Sequence, residues 1–416
     1  MKRILRKVAS IFVATTMVAV LGISAMAAES TELPAEGVTG DKNPATALET
    51  TLVIQKDLVV YNPSEREVYG PGVSYTYSIG AGSAEKEITD VDGVKALTKA
   101  GVGTPGITGS VSYPIDDKVD AAPGGASNLK PITIEFGGVT FPGAGVYRYV
   151  VTETCTNKAD VGVVGDNATE TVRYLDVYVR DPKDGETAGY KIYGYVLFAV
   201  DDNIDGSSAS TNNLASVVKT QGFVDTTTGS GTGATELKAD AYYTYNLEVK
   251  KTLVNDAANN DHGFPFTLTF TKPDGVTGNF NLISSDGDPL AMDASITTTI
   301  ANGNSVTYTG IPCGTTVGIS EKNDIDAKIY YVTTSGAETN LSNAILEPQA
   351  YTDPVTVTTE AGKETSVVDK TVEFTNEYVL ISPTGVALAI LPFVILFTFG
   401  VGFLVAGTAK RKEDEA

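Results

Sequence analysis

Apolar and polar residues alternate with a period of two through most of this chain, and a chain patterned that way is bound to fold as half-buried β-strands. The alternation runs through 51–61, 72–79, 132–136, 146–154, 170–179, 191–198, 243–253, 264–271 and 371–378, segments rich in Val, Thr and Tyr with Gly, Pro, Asn and Asp between them. One face in a core and one in water is the habit of antiparallel sheets, so the predicted fold class is all-β, as β-sandwich domains. Outside two terminal apolar segments, only 90–100 has the composition of a short helix. A glycine- and hydroxyl-rich run, Thr226 to Gly233, divides the chain and predicts a flexible connection. The expected domains are therefore 48–225 and 241–379, joined by a linker over 226–240. The Gly-x-Gly-x-Gly inside that run has no strand-turn-helix pattern around it, so it does not predict a dinucleotide site.

The termini predict export. Lys2, Arg3, Arg6 and Lys7 precede an apolar core from Ile11 to Ile23 and a small-x-small site, Ala25-Met26-Ala27, which together read as a secretory signal peptide over 1–27. Near the other end, Val386 to Gly407 is an uncharged stretch of 22 residues followed by Lys410-Arg411-Lys412. Such a stretch can span a bilayer as a helix, and the basic residues after it hold the tail, 408–416, in the cytoplasm. Ile381-Ser382-Pro383-Thr384-Gly385, immediately before the span, resembles the sorting signal of Gram-positive surface proteins, which a sortase cleaves between Thr and Gly. Ile stands in place of the usual Leu, and the proline directly precedes the threonine.

Composition removes several function classes. The formal charge of −21 becomes −25 when the four basic residues of the leader are lost, which disfavours nucleic acid and anionic lipid as partners. His262 is the single histidine, and with two distant cysteines, Cys155 and Cys313, the chain lacks the clusters of a zinc site and the framework of a disulfide-stapled protein. Cys155 reads as a buried small apolar residue and Cys313 as a turn residue. No Gly-x-Ser-x-Gly elbow accompanies His262, so a serine triad is not expected. Asp201-Asp202-Asn203-Ile204-Asp205-Gly206 opens like a calcium loop, but Asn212 stands where the bidentate Glu belongs, and a plain turn is the better reading. The expectation is a non-enzyme without cofactor or metal.

The chemistry lies in a repeat. Each domain opens on a strand whose lysine is in phase with apolar residues: Leu52-x-Ile54-x-Lys56 and Leu247-x-Val249-x-Lys251. Burying an unpartnered ammonium costs several kcal/mol, so each lysine must be ion-paired, neutral or covalently used. Each domain also carries an in-phase glutamate, in Tyr149-x-Val151-x-Glu153 and Val317-x-Ile319-x-Glu321. Each closes on a strand bearing an aromatic and a carboxyl or carboxamide: Phe223-Val224-Asp225 and Phe374-Thr375-Asn376. Lys250, one position out of phase, should face solvent.

This order of Lys, Glu and Asn/Asp resembles the self-crosslinking domains of Gram-positive backbone pilins of the streptococcal T-antigen type. Tyr174 to Val179 with Tyr190 to Val196, Lys251-Thr252-Leu253 and Phe374 to Tyr378 carry the likeness. The resemblance implies two tandem Ig-like sandwiches of the collagen-adhesin B type, with isopeptide bonds Lys56–Asp225 and Lys251–Asn376 formed with help from Glu153 and Glu321. Buried ion pairs without a covalent bond are the alternative. The resemblance also implies polymerisation: sortase, acting at Thr384, would join the chain to a lysine of the next identical subunit, for which Lys219 is the candidate. Tip and basal pilins and a host ligand are the further partners implied. A wall-anchored adhesin or tip or basal pilin, attached but not polymerised, is the competing function, and a wall-anchored enzyme a more distant one.

Overall fold

The computed structural model describes residues 50–378 except 84–86, 90–94, 166–169, 200–219, 229–234, 293–294, 323–324, 326–329 and 337–354. The predicted strands form, with bounds close to those expected. The region read as a short helix is instead, in its described part, the strand Lys95–Ala100, which pairs in parallel with Gly145–Thr154. Edge pairing to a long neighbour overrides a weak local helix preference there. Among the described residues the helical pieces are single 3-10 turns at Ala159–Val161, Ala257–Asn259 and Glu364–Ser366.

The first domain is two facing sheets. One has the order Gly222–Phe223, Thr51–Lys56, Lys130–Glu135, Gly106–Ile107. The other has the order Lys191–Ala199, Glu170–Arg180, Gly145–Thr154, Val73–Ala81, Ser110–Tyr113. Leu52, Ile54, Ile132, Ile134, Tyr75, Tyr149, Val151 and Leu175 fill the space between them. The second domain repeats the plan: Phe264–Thr271, Thr316–Glu321, Ile296–Ile300 and Val355–Val357 face a sheet built on the long strand Asp240–Val254. That strand runs beside Ser305–Pro312 in antiparallel fashion and beside the closing strand Asp369–Tyr378 in parallel.

The strand Asp240–Val254 serves both domains. Its first residues, Asp240 to Tyr243, pair in parallel with Leu58 to Tyr61 of the first domain, and Tyr242 also opposes Val163. From Thr244 onward it pairs with Ser305–Pro312, and the register shifts between Tyr245 and Leu247. The extra residue of that shift lies in Ser305–Pro312, where Thr309 and Gly310 stand opposite Asn246. Before the shift Asp240 and Tyr242 are buried; beyond it the buried set is Leu247, Val249, Lys251 and Leu253, while Lys250 is exposed. Successive side chains of a strand point to opposite sides, so a single strand can offer its even-numbered face to one core and its odd-numbered face to the next.

The segment expected to be a linker is thus partly structured. Thr226–Thr228 and Thr235–Leu237 pair as a short hairpin, and the segment's last residue, Asp240, already belongs to a sheet of the first domain. The closing strand of that domain is accordingly split in two. Gly222–Phe223 lies parallel to Gln55–Lys56, the hairpin segment leaves the sheet, and Asp240 resumes the parallel pairing opposite Leu58.

Gly222 makes the first half possible. It has φ of 150°, and a Cβ there would strike the backbone of Gln55. Gly222→Ala should destabilise the first domain by about 1–3 kcal/mol, the usual range for a strained backbone position. Denaturant unfolding of the variant beside the parent checks this, and an unchanged midpoint would contradict the close approach.

Candidate functional site

Two sites of one design lie inside the two sandwiches. In the second domain Lys251 and Asn376 sit on neighbouring parallel strands of one sheet, and Glu321 reaches them from the facing sheet. Lys251 pairs with Phe374 in register and Leu253 with Asn376, so the carboxamide stands two residues beyond the lysine. Lys251 and Asn376 are 0% and 1% exposed. The lysine Nζ lies 3.2 Å from Glu321 Oε1, and Asn376 Nδ2 donates to that same oxygen at 2.6 Å. Phe264 lies under the ammonium, 4.5 Å from Nζ to ring centroid, and Phe266 meets Phe374 edge-on beside it.

Burial pushes both partners toward their neutral forms. Burial lowers Lys251 to about 8 against the opposing pull of Glu321, and burial raises the Glu321 carboxyl against the pull of Lys251 and Asn376. Moving one proton from lysine to glutamate gives a free amine beside a carboxylic acid, the forms needed for attack on a carboxamide. Asn376 Oδ1 is buried without a hydrogen-bond partner. Rotation of the carboxamide exchanges its two ends and would present that oxygen to a protonated Glu321.

In the first domain Lys56 Nζ lies 3.0 Å from Glu153 Oε1, again across the gap between the sheets. Its second partner is Asp240, at 2.8 Å from Oδ2. Asp225, the expected partner, is exposed and accepts a hydrogen bond from the Ala239 N–H. It lies near Asp57, which faces away from the in-phase set; burial pushes the Asp57 carboxyl up, and the charge of Asp225 adds to this. Register explains the exchange. Lys56 opposes Phe223 as Lys251 opposes Phe374, and Leu58 opposes Asp240 as Leu253 opposes Asn376. The place two residues past the lysine is occupied by Asp240 because the hairpin segment removes Asp225 from the sheet. Reading along the sequence from Phe223 lands on Asp225; the fold skips the hairpin and reaches Asp240.

Two tyrosines complete the first site. The Tyr75 ring lies under Lys56, 3.9 Å from Nζ to centroid, and the Tyr77 hydroxyl donates to Glu153 Oε2 at 2.8 Å. Burial, together with the Glu153 charge, raises the Tyr77 phenol far above its ordinary range, so it stays a donor. Lys158 also reaches Asp240, donating to Oδ1 at 3.0 Å. Burial alone would raise the Asp240 carboxyl, but Lys56 and Lys158 overcome it and the net direction is down. None of these additions was signalled by the Gly/Thr-rich run. The one available hint was that Asp240 stands in phase with Tyr242.

Cys155 and Cys313 are buried thiols in separate domains. Lys219, the 201–206 loop, the leader 1–27 and the 381–385 motif lie outside the described residues, as does the expected span 386–407. Among the described residues no helix is long and apolar enough to cross a membrane.

Comparison with known proteins gives this geometry a context. A pilin of Streptococcus pyogenes serotype M1 is 26% identical over 306 residues, which cover 70% of this chain and 73% of that protein. By sequence, this chain is pilin-like. Residues 245–378 match a domain of unknown function, DUF7601, so the pilin-like chain has its second sandwich recognised as a unit starting beside the register shift in Asp240–Val254. Among solved structures, the major pilin T3.2 of S. pyogenes serotype GAS13637 aligns with a TM-score of 0.38 at 20% identity, covering 79% of this chain and 98% of that one. A crystal structure of the major pilin from S. pyogenes aligns with a TM-score of 0.37 at 17% identity, covering 80% and 100%.

The depressed Lys251 has a measurable consequence in a chain that cannot react. With Asn376→Ala, the folded lysine titrates near 8 and the unfolded one near about 10.4. The unfolded state therefore binds more protons between those values, and stability should rise with pH across that window. Above about 10 the buried tyrosines reverse the trend by resisting ionisation in the folded state. Urea unfolding of Asn376→Ala and of Lys251→Met/Asn376→Ala from pH 7 to 10 checks the sign. A rise of equal size in both would contradict the assignment to Lys251.

Proposed function

We propose that this chain is a pilus subunit displayed on a Gram-positive surface, built as a shaft component and strengthened by an isopeptide bond inside each domain. The observation that carries the reading is the repetition of one constellation at one register: lysine, facing-sheet glutamate, and an Asn or Asp two positions beyond the lysine's cross-strand partner. A chance ion pair has no reason to recur with that spacing in two domains of a pilin-like chain.

In the second domain Lys251, as the free amine, attacks Cγ of Asn376; the N–C bond forms, the C–N bond to the carboxamide nitrogen breaks, and ammonia leaves. Glu321 takes the amine's proton and returns it to the leaving nitrogen. In the first domain Lys56 and Asp240 combine with loss of water, with Glu153 in the same role. Each bond joins the opening strand to the closing one and holds the domain's ends together as a disulfide closing a long loop would, without being reducible. Polymerisation would join Thr384, after sortase cleavage, to a lysine of the next subunit, with Lys219 the candidate. The chain acts as a structural protein, and its internal chemistry runs once per domain.

Intact mass of the secreted ectodomain tests the internal bonds. The expected mass is one ammonia and one water below the sequence value. Glu321→Ala should restore the ammonia and Glu153→Ala the water, Asp240→Ala should also restore the water, and Asp225→Ala should change nothing beyond its own side chain. A wild-type mass equal to that of the sequence would rule the bonds out. For assembly, the expected finding is a ladder of covalent multimers on denaturing gels of cell-wall extracts, lost with Lys219→Ala; a ladder that persists would remove Lys219 as the acceptor.

A further inference from the structure

The first site contains a group with no counterpart among the described residues of the second. Lys158 Nζ donates to Oδ1 of Asp240 at 3.0 Å, while Lys56 holds Oδ2 at 2.8 Å. In the second domain the group touching the side chain under attack is Glu321, which Asn376 Nδ2 contacts at 2.6 Å. In the first, Glu153 spends its two oxygens on Lys56 and Tyr77, and Lys158 makes the contact to the carboxyl.

Lys158 is placed there by the turn that links the glutamate's strand to the sheet carrying Asp240. Asn157 ties the turn to Val73–Ala81, the strand beside the glutamate's own, donating to the Gly72 carbonyl at 3.1 Å and accepting from the Ser74 N–H at 3.3 Å. The Lys158 carbonyl accepts from Val163 N–H at 3.0 Å, and Val163–Val164 pairs with Ala241–Tyr242 next to Asp240. Gly165 closes over the carboxyl, since a Cβ there would collide with Asp240 Oδ1. The Tyr75 hydroxyl is buried beside Asp240. The site is therefore a fitted four-charge cluster: two ammoniums, Lys56 and Lys158, and two carboxylates, Glu153 and Asp240.

We infer that Lys158 is a catalytic residue of the first domain's crosslink, the cation that lets an aspartate do what asparagine does in the second. The inference rests on the crosslinking reading above. An ionised carboxylate resists attack because the incoming amine adds electrons to a carbon already sharing a negative charge. An ammonium fixed on one oxygen offsets that charge and holds the oxyanion of the tetrahedral intermediate in a site with little water. The balance is complete with the groups present. The Lys56 ammonium and the Asp240 carboxylate give one amide and one water: the Nζ–Cγ bond forms, the Cγ–Oδ2 bond breaks, and of the three protons on Nζ one stays on the amide. The other two leave with Oδ2, carried by Glu153. Oδ1 remains as the amide oxygen, still held by Lys158. In the second domain the carboxamide starts neutral and no such cation is required.

The test is intact mass of the full ectodomain in four forms. Lys158→Met should keep the ammonia loss of the second domain, which reports a folded chain, and lose the missing water or acquire it at least about tenfold more slowly. Lys158→Arg, which keeps the charge, should retain the water loss. Lys158→Met/Asp240→Asn should be lighter by two ammonias, because a carboxamide carries no charge to offset; a lysine that merely propped up the turn would be missed in that background too. Full water loss in Lys158→Met, failure of Lys158→Arg equal to that of methionine, or no second ammonia loss in the double variant would each overturn the role of Lys158 while leaving the crosslink reading standing. A wild-type chain that loses neither water nor ammonia would instead sink the crosslink reading, and the role of Lys158 with it.

Discussion

A lysine side chain at the centre of a β-sandwich is the constraint around which each domain is arranged. An ammonium removed from water must find partners within a few ångströms or give up its proton, and a strand's own neighbours offer it only apolar side chains and spent backbone groups. Both domains meet the demand in the same way. A glutamate comes from the facing sheet, an Asn or Asp from the adjacent parallel strand, and an aromatic ring lies beneath the nitrogen. This fixes the distance between the sheets, the register of the closing strand and the polarity of one spot in an otherwise apolar core. Loss of one partner leaves an uncompensated charge in the core.

The two sites are coupled through one strand. Asp240 closes the first cluster and Lys251 opens the second, and both belong to Asp240–Val254. Its even-numbered residues Asp240 and Tyr242 are buried in its first part, and its odd-numbered residues Leu247, Val249, Lys251 and Leu253 in its second. Polar contacts reinforce the passage: buried Asn62 and Asn246 exchange hydrogen bonds through their side chains, and Asn246 donates on to Asp369. The chain thus crosses between sandwiches within a hydrogen-bonded strand instead of through a free linker. A pull applied along the chain would pass from one lysine site to the next along this strand.

How much of this was legible follows from what controls each feature. Strand positions and the in-phase residues Lys56, Glu153, Lys251, Glu321 and Asn376 could be read because alternation depends on local sequence, and a charge on a buried face stands out against it. The partner of Lys56 could not be read the same way. It depends on which residue lies beside Leu58 in space, and the hairpin segment between Phe223 and Asp240 breaks the link between spacing and register. The Gly/Thr-rich run suggested a flexible linker, whereas Thr226–Thr228 pairs with Thr235–Leu237 and Asp240 resumes the parallel pairing beside Leu58. Lys158 was hidden for a related reason, since a lysine in a polar turn looks like a solvated one until the turn is folded back over Asp240. The strand at 95–100 does not show in the local sequence because its pairing partner, Gly145–Thr154, is distant in sequence.

The most direct test of the account is a peptide map of the ectodomain after proteolysis under denaturing conditions. The account predicts two branched species, one joining the peptide that carries Lys56 to the peptide that carries Asp240, and one joining those that carry Lys251 and Asn376. Recovery of all four peptides as unmodified linear fragments would contradict it.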